Sequence, residues 1–175
     1  DKDSTIVEHQ FTTDGQQYFA WGGDSYSTTT GQENAKEEAN KRKGVRLNWS
    51  PDGAHFVISR KDNRQLEDLW VINNVAAKRP TLETYKYLMP GESDSTESML
   101  YIFNAQSLKP TPVDLSAFKN QTLSIYSQQH GKSSYTGKHF IPYWLGDART
   151  FYVSRSSRDL KRIDLLAVQV DGSAK

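Results

Sequence analysis

Along this chain, short apolar runs of strand length alternate with clusters of Gly, Pro, Asn, Asp and Ser. The clearest unit is Trp49-Ser50-Pro51-Asp52-Gly53-Ala54-His55-Phe56-Val57-Ile58-Ser59-Arg60. Proline presets φ, glycine supplies a positive φ, and a β-branched and aromatic run follows, which predicts a tight turn feeding a buried strand. The pattern recurs from Trp144 to Arg155, matching at Trp49/Trp144, Asp52/Asp147, Phe56/Phe151, Ser59/Ser154 and Arg60/Arg155, an offset of 95 residues. Thr13 to Trp21 is a weaker echo. An offset of that size is about two of the ~40–50-residue units that build four-stranded propeller blades. The fold class expected is all-β, a β-propeller fragment of about two full blades plus parts of others.

Taken in order, the whole of 1–175 reads as one partial propeller domain. Residues 1–22 form the end of a blade, with a hairpin over 5–22 turning at Asp14-Gly15. Residues 22–35 are loop-like in composition, and 35–43, rich in Lys, Glu and Ala, favours a short helix. Residues 45–98 form a blade, with strands over 45–49, 54–61 and 66–73 and a turn at Asp62-Asn63. The continuous apolar run Leu69-Trp70-Val71-Ile72 implies a central strand buried on both faces. Residues 99–138 hold a hairpin, Met99 to Asn104 with Pro112 to Leu115, followed by polar loops. Residues 139–172 form a further blade from strands at 140–144, 150–155 and 162–170. An incomplete ring leaves apolar blade faces open. The fragment is therefore expected to form a homodimer, to cover the open face with its own termini, or to be marginally stable.

Composition narrows the function. At 35% hydrophobic and 25% charged the profile is that of a globular chain. Twenty-two basic residues interleave with 21 acidic ones, so no long basic face is available for nucleic acid. No apolar run approaches the ~20 residues of a membrane span, and the N-terminus has no signal-peptide pattern. With no cysteine there is no disulfide, thiolate nucleophile or Cys-ligated zinc, and no cofactor is implied. The charged start at Asp1 suggests a piece of a longer protein.

No catalytic set is legible. There is no G-x-S-x-G elbow, and His9, His55, His130 and His139 adjoin no recognisable nucleophile. Gly91 to Glu97 is oxygen-rich but lacks the spacing of a calcium loop. Asn48-Trp49-Ser50 and Asn120-Gln121-Thr122 match the glycosylation pattern only by chance. Arg155, Arg158, Lys161 and Arg162, beside Asp159 and Asp164, read as a salt-bridged hairpin surface. Glu37 and Glu38 admit two readings. Paired carboxylates bind an ammonium by charge-assisted hydrogen bonds; on a solvated helix they instead form i,i+4 pairs with Lys41 and Arg42.

Residues 45 to 172 resemble the N-terminal propeller of the dipeptidyl peptidase IV branch of the prolyl oligopeptidase family. The residues carrying the resemblance are Trp49-Ser50-Pro51-Asp52-Gly53, Arg79 through Tyr87 with Pro90-Gly91, Leu100-Tyr101-Ile102-Phe103-Asn104, and Trp144 through Arg162. The resemblance implies a non-catalytic propeller that gates substrate access to an α/β-hydrolase domain of the same protein, absent from these residues, acting on short peptides. It also implies that Glu37 and Glu38, 11 to 12 residues before Trp49, hold the substrate's free N-terminal ammonium. It departs from the family in lacking flanking aromatics around 35–40. A bacterial, periplasmic or secreted location is implied by resemblance alone. The alternative is an envelope propeller that serves as a protein-binding scaffold with no enzyme attached.

Overall fold

In the computed structural model, residues 7–22, 47–75, 78–92, 96–118, 121–125, 127–129, 140–142, 144 and 148–175 are described. Their regular structure is β, apart from one 3-10 turn at Ser116–Phe118. The strands are β1 (Asn48–Trp49), β2 (His55–Asp62), β3 (Asp68–Asn73), β4 (Thr81–Lys86), β5 (Glu97–Asn104), β6 (Pro110–Pro112), β7 (Gln121–Ile125), β8 (Ser127–Gln129), β9 (Phe140–Pro142), β10 (Thr150–Ser157) and β11 (Ile163–Gln169). They form one sheet in the order β1-β2-β5-β6, a second in the order β11-β10-β7, and the two-stranded hairpins β3-β4 and β8-β9. All pairs are antiparallel.

The repeat seen in the sequence is a repeat in space. The turn before β2 closes where Gly53, at φ 68°, donates to the Ser50 carbonyl at 3.0 Å. Trp49 then pairs with Phe56, as Trp144 pairs with Phe151, with ring centroids 5.0 and 4.9 Å apart. Each sheet also has a first strand laid down in two pieces. Along β2, Tyr18 to Gly22 bond opposite Asn63 to Ser59, and β1 takes over at Val57. Along β10, β7 lies opposite Ser157 to Val153, and Trp144 takes over at Phe151. The second sheet gains its fourth line where the Ser173 to Lys175 backbone bonds to Ala167 and Gln169.

The two sheets pack face to face. Alternation puts Val57, Leu100 and Ile102 on one face of the first sheet, and with Val113 they form a single buried cluster with Phe151, Val153, Leu166 and Val168 of the second. The opposite face of the first sheet carries Phe56, Ile58 and Phe103, covered by Phe11, Trp21 and Leu47. Phe56 and Phe151 are equivalent, so the second sheet uses on its neighbour the face that the first sheet covers with the N-terminal segment. The second sheet's other face exposes Ile163 (70%) and Leu165 (58%).

Four expectations change. The 95-residue offset is one blade, because the sheets are consecutive; the β3-β4 hairpin and residues 126–143 lengthen the interval. The strands expected in 45–98 and 99–115 share one sheet, with β2 paired to β5 from His55–Asn104 to Asp62–Glu97. The turn in the N-terminal segment is at Gln17-Tyr18, where Gln16 and Phe19 exchange backbone hydrogen bonds, and among the described residues no hairpin ladder forms about Asp14-Gly15. The 69–72 run is a strand, but Trp70 and Ile72 are each 69% exposed, because among the described residues β3 pairs only with β4 and no second sheet covers it. The helix expected over 35–43 lies outside the described residues.

At Gly172, φ is 89° and the carbonyl accepts from Asp114 N–H at 3.0 Å, joining the two sheets. A Cβ there would collide with the Pro112 carbonyl oxygen. Gly172→Ala is predicted to cost about 2 kcal/mol from combined strain and clash, measured by urea denaturation, whereas Gly53→Ala, whose Cβ meets nothing, costs less. Equal losses would contradict the packing described.

Candidate functional site

Three features of the described residues bear on function. The first is the break in each blade's first strand. The chain leaves the β2 edge after Gly22 and returns to it at Asn48, so residues 23–46 are inserted within that strand line. Glu37 and Glu38 fall in this insert and outside the described residues. The chain likewise leaves the β10 edge after Ile125 and returns to it at Trp144; His130 and His139, between them in sequence, are outside the described residues.

The second feature is Arg60, which is only 2% exposed. Its Nη1 donates to Asp14 Oδ2 at 2.7 Å, and its Nη2 to the Asp14 and Phe19 carbonyls at 2.8 and 3.3 Å. The guanidinium lies 3.3 Å from the Phe19 ring centroid and 4.5 Å from that of Trp21. A planar cation satisfies such a site because it forks to oxygens in its plane and presents its faces to rings. Arg64 stacks on Phe19 as well and pairs with Asp62. Arg155, the equivalent residue, is 3% exposed on the face that meets the first sheet, and burial pulls its guanidinium below its usual pKa. This corrects the expected surface cluster: Arg155 is inside. Arg162 pairs with Asp164 at 3.0 Å, Asp159 accepts from the Ser157 hydroxyl at 2.6 Å, and Arg158 reaches the Glu92 and Met89 carbonyls.

The third feature is a cleft of about 630 Å³ at the junction of the sheets, lined by Asp52, His55, Ala148, Arg149, Gln169, Val170 and Asp171. Asp52 is held below the usual carboxylate range first by the Ser50 hydroxyl at 2.6 Å and then by Ala54 N–H. Asp171 is lowered likewise by Ser173. Ser50 Oγ accepts from the His55 backbone N–H at 3.0 Å, so it staples the turn. The His55 ring meets Asn104, Nε2 to Nδ2 at 3.4 Å. The cleft had no sequence signal, because Arg149, Gln169 and Asp171 come together only when β10 and β11 pair. Of the remaining residues singled out in sequence, His9 is exposed, Asn48 is in β1, Asn120 is outside the described residues, and Glu92 caps Met89 N–H. Among the described residues no group of three His, Cys, Asp or Glu is placed to hold a metal, and no helix is long and apolar enough to cross a membrane.

The family profile for the dipeptidyl peptidase IV (DPP IV) N-terminal region matches residues 3–175. The chain belongs to that family. Its fold is accordingly the all-β propeller fragment expected. Among solved structures, a candidate dipeptidyl aminopeptidase IV from Bacteroides ovatus shares the fold, with a TM-score of 0.58 at 16% identity. The likeness covers 93% of this chain and 19% of that one, so the DPP IV N-terminal piece described spans about a fifth of its structural relative. No curated protein matches.

Asp14 ties the N-terminal segment to this DPP IV-type blade, and its carboxyl is held low first by the Trp21 indole hydrogen bond at 2.7 Å and then by Arg60. A carboxyl lowered on folding contributes fully above its unfolded value of about 3.9, and the contribution disappears as pH falls through the folded value. Asp14→Asn should therefore lower Tm at pH 7 and have little effect at about pH 2. A deficit that grows toward acid pH would contradict the assignment.

Proposed function

We propose that this region is the propeller part of a serine dipeptidyl or oligopeptidase, which limits access to an α/β-hydrolase domain elsewhere in the same protein and anchors the amino end of short peptides through Glu37 and Glu38. The observation that carries the reading is the family match across residues 3–175, which gives a setting to the insert at 23–46. Strand pairing at Gly22 and at Asn48 fixes the two ends of the interval that contains Glu37 and Glu38. Two adjacent carboxylates can hold an ammonium by charge-assisted hydrogen bonds, each worth about 1.5–3 kcal/mol. In the whole protein, Glu37→Ala with Glu38→Ala should raise KM for free-amine dipeptide substrates about a hundredfold, at about 1.4 kcal/mol per tenfold. An unchanged KM removes the two glutamates from the site.

The reading includes a second copy of the chain as a partner, met through the β3-β4 hairpin. A two-stranded sheet on its own is marginal in water, and this one presents Trp70, Ile72 and Leu82 on one face. Antiparallel pairing of β3 with its own copy about Val71 puts Trp70 opposite the copy's Ile72 on that face, which makes the contact self-complementary. Trp70→Ser in the whole protein is predicted to give monomers in sedimentation at concentrations where the unaltered protein is dimeric; an unchanged dimer rejects this surface.

A further inference from the structure

We propose that Arg158 is a positioning residue that sets the β3-β4 hairpin in the orientation needed for dimer formation, so that assembly is coupled to the packing of the two blades. The inference rests on the hairpin-mediated dimer proposed above. Both ends of the hairpin are tethered, and the two tethers differ in kind. The incoming one, at Asp62 to Glu67, is held within the first blade. Arg64 pairs there with Asp62 and bonds to Gln16 Oε1 at 3.0 Å, and Asn63 N–H bonds to the Tyr18 carbonyl at 2.9 Å. At the hairpin's base, Lys86 pairs with Asp68 at 3.1 Å and Tyr87 N–H bonds to the Glu67 carbonyl.

The outgoing tether, Tyr87 to Glu92, turns at Pro90-Gly91, with Gly91 at φ 93°. Within the turn Glu92 Oε2 accepts from Met89 N–H at 2.8 Å and the Met89 carbonyl accepts from Glu92 N–H at 3.3 Å. Arg158 adds a donor to each carbonyl from outside the turn, Nη1 to that of Glu92 at 2.7 Å and Nη2 to that of Met89 at 3.0 Å. It belongs to the β10-β11 turn of the second blade, where Leu160 N–H bonds to the Ser157 carbonyl and Ser157 Oγ to Asp159. One fork therefore spans from the second blade to the base of an arm that grows from the first. Only a planar guanidinium reaches two carbonyls in this fashion; an ammonium is a single point charge.

The test is made in the whole protein by sedimentation equilibrium and thermal melting, with Trp70→Ser to establish that the hairpin is the dimer surface. Arg158→Ala is expected to raise the dimer dissociation constant about tenfold with little change in the monomer's Tm. Arg158→Lys should fall in between, and Lys161→Ala, a neighbouring loss of charge, should leave the dimer unaltered. A dimer constant unchanged in Arg158→Ala while Trp70→Ser dissociates the protein overturns the positioning role and leaves the dimer standing. So does a fall in Tm without a change in the dimer constant, since Arg158 would then be a strut alone. A dimer that survives Trp70→Ser overturns both.

Discussion

The structure depends on one packing constraint: a four-stranded antiparallel sheet with two apolar faces is stable only if both are covered. Here the face made by Val57, Leu100 and Ile102 is covered by Phe151, Val153, Leu166 and Val168 of the next sheet. The remaining face of the first sheet is closed by Phe11, whose ring meets Phe56 and Phe103 edge-on at 5.1 and 5.8 Å. The remaining face of the second is open at Ile163 and Leu165. Because each blade offers the same pair of faces, the packing is head-to-tail and propagates around a ring. That makes the DPP IV-type propeller a consequence of the repeated turn and its strand, and it explains why the arginine at the end of each copy is buried.

Arginine at that position suits a blade junction. Arg60 shows how: two rings lie against the guanidinium while the Asp14 carboxylate and two carbonyls accept its hydrogen bonds. A lysine would leave the rings and one carbonyl unserved. The inserts use the same scaffold differently. In each blade the chain leaves the first strand and returns to it at matched positions, after Gly22 and at Asn48 beside β2, after Ile125 and at Trp144 beside β10.

What the sequence made legible was local. The Trp-Ser-Pro-Asp-Gly turn, the β-branched run after it and the repeat at Trp144 follow from φ preferences and alternation, which act over a few residues. The offset was misread because a 95-residue interval carries no mark of which residues are inserts. The Leu69 to Ile72 run was misread because a hairpin standing away from the sheet and a central strand share the same β propensity; only the missing third strand separates them. Arg155 looked like a surface charge beside Arg158, Lys161 and Arg162, since its burial depends on the other blade. The junction cleft was illegible for the same reason. Glu37 and Glu38 entered through family resemblance, which no spacing within this chain supplies.

The two sheets are consecutive blades that share one core. A double-mutant cycle on the whole protein tests it, pairing Ile102→Ala in the first sheet with Val153→Ala in the second, both fully buried in the shared cluster. A shared core gives a coupling energy of at least about 0.5 kcal/mol in urea denaturation. Losses that add, as they do for sites in separate cores, would contradict it.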